Sequence, residues 1–293
     1  MIVDTHSHLS FKAYDKDRDE VIKRTQKELV VCIDVGTKYE TSKNAIELAE
    51  KNENIFAAIG LHPIHIKTDL MKLKMDEDEG GFAPLGEEFD YEKYKKLATP
   101  KPEGRRRVVA IGEIGLDYYY KPKTKSRLQE FKELQKKVFI QQLDLAKELN
   151  LPVIIHCRMA HTDVIDILKS QNSNPNDQKL RGTIHCFTGN LEEAQQYVNL
   201  GFYLGINGII DKLDLTEVIK NIPLEKLLVE TDCPYLTPKA AEKNPPKASH
   251  LGGQRNEPIF VKHVIQKISD LRGISFDEVA SVTTQNAKEL FEI

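Results

Sequence analysis

The stretch Leu151-Pro-Val-Ile-Ile-His156 carries the pattern that decides the fold: a short apolar run that ends in a polar, metal-capable residue. Pro152 fits the first residue of a strand, where its missing N–H costs least. Residues 162–171, which follow, have the periodicity of a helix, so the two segments form one strand–helix unit. Units of this kind recur along the chain, and their alternation indicates parallel strands joined by right-handed crossovers.

Eight strand–helix units are predicted. The strands are expected at residues 2–5, 29–36, 55–60, 108–113, 151–156, 182–187, 202–206 and 227–232. The helices are expected at residues 15–28, 38–52, 88–98, 125–150, 162–171, 191–200, 213–221 and 258–271, with an additional helix at 276–291. Because polar residues collect at the strand ends all round, the α/β fold predicted is a closed TIM (β/α)8 barrel rather than an open sheet. We expect residues 1–293 to form one such domain.

Composition excludes several classes of protein. The net charge of −3 and pI near 6.3 argue against a strongly basic surface that binds long stretches of duplex nucleic acid through many phosphates. The four cysteines occur singly, without CxxC spacing, and are expected to be reduced and buried. No signal-like or membrane-spanning segment is found, which predicts a cytoplasmic protein without membrane contact, also nuclear if the source is eukaryotic.

One segment interrupts the strand–helix rhythm. Residues 69–90 include Asp76-Glu-Asp-Glu79, three glycines and little periodicity. The segment is predicted to be an exposed acidic loop inserted before the third helix. It is either a solvated loop without function or a lid or partner contact.

Six residues capable of binding metal lie at or beside predicted strand ends: His6, His8, Glu113, His156, His185 and Asp232. Strand ends converge on one face of a barrel, so residues distant in sequence meet there. Four imidazoles and two carboxylates suffice for two divalent ions, which about 3.5–4 Å apart activate water and clamp the oxygens of a displacement. Such a site suits phosphodiester hydrolysis.

The roles within this set differ. His6 and His8 are one residue apart on a strand, which places both imidazoles on one side. Glu113 follows a strand between close glycines that are expected to turn the backbone, and its carboxylate can bridge two cations. Asp232 can bind metal, accept a proton from bound water, or do both, whereas Glu230 is expected to position a ligand. Imidazole-rich coordination suits Zn or Mn more than Mg.

The ordered motifs resemble those of the TatD-family deoxyribonucleases of the metal-dependent amidohydrolase superfamily over essentially the full chain. The matching stretches are Asp4-Thr-His-Ser-His8, Gly60-Leu-His-Pro63, Gly112-Glu-Ile-Gly-Leu-Asp-Tyr-Tyr119, His156-Cys-Arg158, His185-Cys-Phe-Thr-Gly189, Glu230-Thr-Asp-Cys-Pro-Tyr235 and Arg255-Asn-Glu-Pro258. The acidic segment departs from the family's pattern.

The resemblance implies a TIM barrel with metal-dependent 3′-to-5′ exonuclease activity on DNA, usually supported by magnesium. It also implies that the six residues above are the metal ligands and suggests roles in DNA repair or in DNA fragmentation during cell death. We expect Glu113 and Asp232 to be catalytic. The expected partner is DNA with single-stranded or frayed ends, without a stable protein partner.

Five residues are candidates for substrate contact. His62 and Arg158 lie at strand ends and are candidates either for phosphate contact or for a structural role. Tyr118 and Tyr119 can either stack on a terminal base or pack in the core or at the rim. Arg255 either reaches a phosphate or anchors its loop. An alternative function is hydrolysis of an ester, a lactone or D-aminoacyl-tRNA, because activated water attacks carbonyl and phosphoryl centres alike. A scaffold that keeps metal without turnover is a third hypothesis.

Overall fold

The structure is a computed structural model that describes residues 1–71, 79, 86–100, 107–175, 177–241 and 255–293. Eight strands form one sheet in sequence order, and each neighbouring pair is parallel. They are β1 (Ile2–Ser7), β2 (Val30–Val35), β3 (Ile55–Ile59), β4 (Val108–Asp117), β5 (Val153–Arg158), β6 (Gly182–Ile184), β7 (Tyr203–Ile206) and β8 (Leu227–Val229).

The first and last strands meet at their carboxyl ends. The Asp232 N–H donates to the His6 carbonyl at 2.8 Å, and the His8 N–H donates to the Cys233 carbonyl at 2.9 Å. These bonds bring the two edges of the sheet together. The predicted TIM barrel is therefore confirmed.

Helices cover the outside of the barrel and follow the strands in the predicted order. They are α1 (Arg18–Lys27), α2 (Tyr39–Lys51), α3 (Tyr91–Ala98), α4 (Lys125–Leu149), α5 (His161–Gln171), α6 (Leu191–Asn199), α7 (Thr216–Asn221), α8 (Val261–Arg272) and α9 (Phe276–Phe291). Within the described ranges, no helix combines the length and the apolar character that crossing a bilayer requires.

The main difference from the expected elements lies in β4. The strand was expected to end at Glu113, but it continues to Asp117 and pairs there with Arg158 of β5. Gly115 has φ 137°, and a Cβ at this position would overlap the carbonyl oxygen of His156. The glycine therefore permits close approach of two strands, and the predicted sharp turn at this point is wrong.

The cysteine predictions hold for Cys157, which faces the helix layer. Its Sγ lies 3.3 Å from Nδ1 of His161 on α5 and 3.7 Å from the hydroxyl of Tyr197 on α6. Burial raises the pKa of the Cys157 thiol to about 12, so it is protonated at neutral pH. All four cysteines are free, and three of them are buried, whereas Cys186 is partly exposed.

The acidic segment is described only in part. Residues 76–78 lie outside the described residues. Glu79 is buried, with 6% of its surface exposed, so the expectation of an exposed side chain is wrong at this position. Near the end of the segment, Glu87 accepts hydrogen bonds from the Tyr39 N–H (3.0 Å) and the Tyr94 hydroxyl (2.9 Å).

Candidate metal centre

The carboxyl ends of the strands bring the six predicted ligands together, with Glu113 at the middle. Its Oε2 lies 3.5 Å from Nε2 of His6 and 3.9 Å from Nε2 of His8. Its Oε1 lies 3.0 Å from Nδ1 of His156 and 3.0 Å from Nε2 of His185. The two oxygens of one carboxylate thus face two separate groups of imidazoles, which is the arrangement expected of a carboxylate shared by two cations.

Asp232 approaches the same nitrogens of His6 and His8 that face Glu113. Its Oδ1 is 3.4 Å from Nε2 of His8 and 3.7 Å from Nε2 of His6, and these two nitrogens are 3.1 Å apart. The Asp232 side chain is 14% exposed, whereas the His6 side chain is fully buried. Asp232 has φ 56°, a left-handed conformation that Asp tolerates better than most residues. Its carboxylate therefore reaches both the histidines and the solvent-facing side of the site.

Two of the imidazoles are oriented by acceptors on the side away from Glu113. Nδ1 of His8 lies 2.7 Å from the Val35 carbonyl oxygen, and Nε2 of His156 lies 3.0 Å from Oδ2 of Asp117. An acceptor at one nitrogen assigns the proton to that nitrogen, so the other presents its lone pair. These tautomers fit a cation bound at the centre. Asp117 was not predicted.

His185 is oriented by Glu230. Nδ1 of His185 lies 3.3 Å from Oε1 of Glu230, and the same oxygen accepts hydrogen bonds from the Cys186 N–H (2.7 Å) and the Asn207 side chain (3.0 Å). Gly205 leaves room for the carboxylate, because a Cβ there would overlap Oε2 of Glu230. These contacts support the expected positioning role of Glu230.

The charge of the centre also suits a cation. Burial alone would raise the pKa of the Glu113 carboxyl, but the neighbouring imidazoles, those of His62 and His185 above all, hold its pKa well below the usual range. Burial lowers the pKa of His6, which favours its neutral form. The nearby carboxylates outweigh burial and raise the pKa of His8 to about 9, and they raise the pKa values of His156 and His185 as well. A divalent ion would therefore take the place of protons on these three imidazoles.

His62 contacts the centre in a different way. Its Nδ1 accepts a hydrogen bond from the Ile64 N–H at 3.1 Å, so the neutral ring carries its proton on Nε2. That nitrogen lies 3.2 Å from Oε1 of Glu113. Burial lowers the pKa of His62 to about 4, so the ring is neutral at pH 7. Its Nε2–H is therefore a donor that faces Glu113, and His62, Glu113 and His156 also lie close enough together to hold an ion.

Comparisons with known proteins agree with this geometry. The family described as TatD related DNase matches residues 3–292. The chain belongs to this family. It is 39% identical over 297 residues to the uncharacterized metal-dependent hydrolase YabD of Bacillus subtilis, with all of both chains covered.

A second relative of this TatD-family chain is the 3′-5′ ssDNA/RNA exonuclease TatD of Escherichia fergusonii, 36% identical over 292 residues, which cover 98% of this chain and 97% of the relative. Among solved structures, the TatD homologue YJJV of Escherichia coli superposes with a TM-score of 0.75 at 29% identity, covering 100% of this chain and 98% of that one. The chain is thus a metal-dependent hydrolase with a His/Glu cluster that could bind metal.

A cavity of about 370 Å³ opens above the cluster of this TatD-family chain. Of the predicted substrate contacts, His62 and Arg158 line its wall. Tyr119 lies at the rim, where its ring centroid is 3.7 Å from Cζ of Arg158. Tyr120, which the sequence did not single out, lines the cavity as well.

Two other predicted substrate contacts point elsewhere. Tyr118 is buried and donates its hydroxyl to Asp163 at 2.7 Å, because side chains alternate along β4 and Asp117 faces His156. The Arg255 guanidinium donates to both carboxylate oxygens of Asp17, at 2.7 and 2.6 Å. Neither residue is among the described residues that line the cavity, and for Arg255 the contacts fit the alternative role of anchoring its loop.

Glu79 brings a carboxylate from the acidic segment to the edge of the same cavity. It contacts the Thr37 hydroxyl, lies 2.7 Å from Nε2 of His65 and lies 3.6 Å from Nζ of Lys38. All four side chains are buried. Burial would raise the pKa of Glu79, but His65 and Lys38 outweigh it and lower the pKa to about 2. Sequence analysis missed this cluster because its members are brought together by loops.

Glu79→Gln is expected to destabilise the protein at pH 7 and to lose that effect in acid. The pKa of Glu79 is lower in the folded chain than in the unfolded one, so its charge stabilises the fold above about pH 4.5 and less as pH falls toward 2. The difference from wild type should be on the order of 3 kcal/mol at pH 7. Urea unfolding of both proteins at several pH values measures it.

Glu88→Gln is the matched control, since Glu88 is exposed and pairs with Lys67 at the surface. It should change stability little at any pH. If the stability difference between wild type and Glu79→Gln stayed constant from pH 7 to about pH 2, the result would contradict an ionised Glu79 that is stabilised by His65 and Lys38.

Proposed function

We propose that the chain is a metal-dependent exonuclease that removes nucleotides from the 3′ end of single-stranded DNA or RNA, with residues 1–293 acting as one barrel domain. The observation that carries the proposal is the division of Glu113 between two groups of imidazoles at the floor of an open cavity. The activity named for the Escherichia fergusonii relative supports the choice of substrate.

Two divalent ions are proposed to share Glu113. One would be held by His6, His8 and Asp232, and the other by His156 and His185. The family resemblance favours Mg²⁺, whereas the histidine-rich ligand set suits Mn²⁺ or Zn²⁺. Bound ions in such a site polarise a phosphoryl group and supply a nucleophile from water at neutral pH.

The residues of the chain are proposed to orient the substrate and move the proton. Burial would raise the pKa of Asp232, but His8 and His185 outweigh it, so the carboxylate is ionised and can accept a proton from the attacking water. His62, whose Nε2–H faces Oε1 of Glu113 at 3.2 Å, would turn this donor to an oxygen of the scissile phosphate when Glu113 binds metal instead. The Arg158 guanidinium, at the cavity wall, pairs with the next phosphate.

The size of the cavity favours attack at a strand end. A volume of about 370 Å³ falls at the lower end of the range for small-molecule sites, about 300–1,000 Å³. It therefore suits one nucleotide better than a continuous strand or duplex. A terminal nucleotide can enter it while the rest of the strand stays outside.

The test uses protein stripped of metal with a chelator and reloaded with Mg²⁺, Mn²⁺ or Zn²⁺ in turn. Single-stranded DNA and RNA are labelled at either the 5′ or the 3′ end. We expect the 3′ label to be released at once as a mononucleotide, and the 5′-labelled strand to shorten stepwise. Metal-free protein should be inactive.

Two results would contradict the proposal. Release of the 5′ label first would show that the enzyme degrades the strand from the 5′ end. Hydrolysis of lactone, ester or D-aminoacyl-tRNA substrates by the same preparations, with nucleic acid left intact under every metal, would favour the alternative hydrolase.

A further inference from the structure

Two exposed tyrosines and one arginine form an aromatic platform at the rim of the cavity. Tyr119 and Tyr120 are each 50% exposed, and their rings lie 4.9 Å apart, almost perpendicular at 88°. Cζ of Arg158 lies 3.7 Å from the centre of the Tyr119 ring and 5.9 Å from that of Tyr120. Large aromatic surfaces left open beside a cavity are typical of binding sites.

A basic segment, residues 121–127, follows the platform directly. It contains Lys121, Lys123, Lys125 and Arg127, and all four side chains are exposed. No acidic residue occurs from 118 to 129. Across the described part of the chain, none of the four forms an ion pair that would neutralise it. A chain with net charge −3 thus places four positive charges beside the rim of its cavity.

Helix stability does not account for these charges. The macrodipole of a helix favours acidic residues in the first turn and disfavours basic ones. α1, α6 and α9 follow this rule with Asp19 and Glu20, with Glu192 and Glu193, and with Asp277 and Glu278. α4 begins at Lys125 and has no acidic residue in its first turn. An anion bound along the segment would offset the unfavourable placement.

We infer that the platform and the basic segment form the path along which single-stranded nucleic acid reaches the cavity. Unpaired bases stack on Tyr119 and Tyr120, and the phosphates behind the terminal nucleotide follow residues 121–127. Aromatic faces beside a basic track are the combination that binds single strands without sequence preference, whereas paired bases cannot stack on side chains in this way. This inference rests on the proposed function and adds how the strand is held outside the cavity.

The test measures binding apart from cleavage. The probe is a fluorescein-labelled, phosphorothioate-linked oligothymidine of about 20 nucleotides, which exceeds the usual site size and resists hydrolysis. Its affinity for the metal-loaded full chain is measured by fluorescence anisotropy at about 50–200 mM salt. The variants are Lys121→Gln/Lys123→Gln/Lys125→Gln and Tyr119→Leu/Tyr120→Leu.

The two variants should fail in different ways. The lysine variant should bind about 10- to 100-fold more weakly at about 0.1 M salt, with the slope of log affinity against log salt reduced by about 2. The tyrosine variant should bind about tenfold or more weakly with its salt slope unchanged, because stacking releases no counterions.

The matched control is Lys27→Gln/Lys51→Gln/Lys220→Gln. These exposed lysines lie in the last turns of α1, α2 and α7, on the face of the barrel opposite the cavity. The control should bind like wild type. Two results would overturn the inference even if the protein still cleaves nucleic acid. One is an equal salt slope in the wild type and the lysine variant, and the other is that the wild type binds a blunt duplex as tightly as the single-stranded probe. Lysine-dependent binding without cleavage of any nucleic acid would instead overturn the proposed function.

Discussion

Glu113→Gln is expected to lower kcat/KM on single-stranded DNA by about 10³-fold or more, because the proposed sharing of this carboxylate between two ions would contribute several kcal/mol to catalysis. Gln has the same shape but replaces one oxygen with an NH₂ group. That group would point donors at imidazole lone pairs on one side of the centre, either His6 and His8 or His156 and His185. One group of ligands would then lose its shared oxygen.

Metal content distinguishes this loss from unfolding. Inductively coupled plasma mass spectrometry of the Glu113→Gln protein should find fewer ions per chain than in wild type, while circular dichroism stays unchanged. Glu193→Gln is the control, since Glu193 completes the capping box of α6, a role that Gln fills as well. Full turnover by Glu113→Gln would rule out the shared carboxylate.

The meeting of the six candidate ligands at one face was predictable, because the place of each residue depends on a short rule. His156 and His185 follow apolar runs, and parallel strands of a barrel open on one face, so their meeting needs no knowledge of loops. The His6–Ser7–His8 alternation likewise requires only that β1 is a strand. The same rules placed the nine α-helices found in the described part of the chain, and α9 agrees with the prediction at both ends.

The side chains around the ligands were not predictable from such rules. Asp117 orients His156 only because β4 runs past Glu113, and that extension depends on the close approach at Gly115. The same extension determines which tyrosine faces the cavity: Tyr118 turns toward Asp163, and Tyr120 lines the wall.

Long-range contacts made by loops could not be predicted from the sequence either. A run of acidic residues is normally solvated, and nothing local to Glu79 indicates that it meets His65 and Lys38. Arg255 presents the reverse case, because a basic residue in a loop on the active face suggested substrate. Its partner Asp17 lies 238 residues earlier in the chain, so only the folded structure shows that this arginine is already paired.

Asp232→Asn is expected to lower kcat by about 10²- to 10⁴-fold, the usual contribution of a positioned general base. The amide keeps the shape and the position at the end of β8, but it cannot accept a proton. His6, His8 and Glu113 remain in place, so we expect the metal content to be largely retained. Single-turnover rates on 3′-labelled DNA, measured over a range of metal concentrations, test this.

The metal titration separates the two roles open to Asp232. A residue that only binds metal would give a variant whose rate returns to the wild-type value at high metal concentration, since mass action restores occupancy. If Asp232 accepts the proton, the rate of the variant should instead saturate at a low value, because full metal occupancy does not replace the lost proton acceptor. Asp90→Asn is the matched control: Asp90 caps α3 through the Lys93 N–H at 3.1 Å, and Asn caps a helix equally well. We expect saturation at a low rate, because the Asp232 side chain is more exposed than that of Glu113, at 14% against 5%, and so lies nearer the solvent from which the attacking water enters.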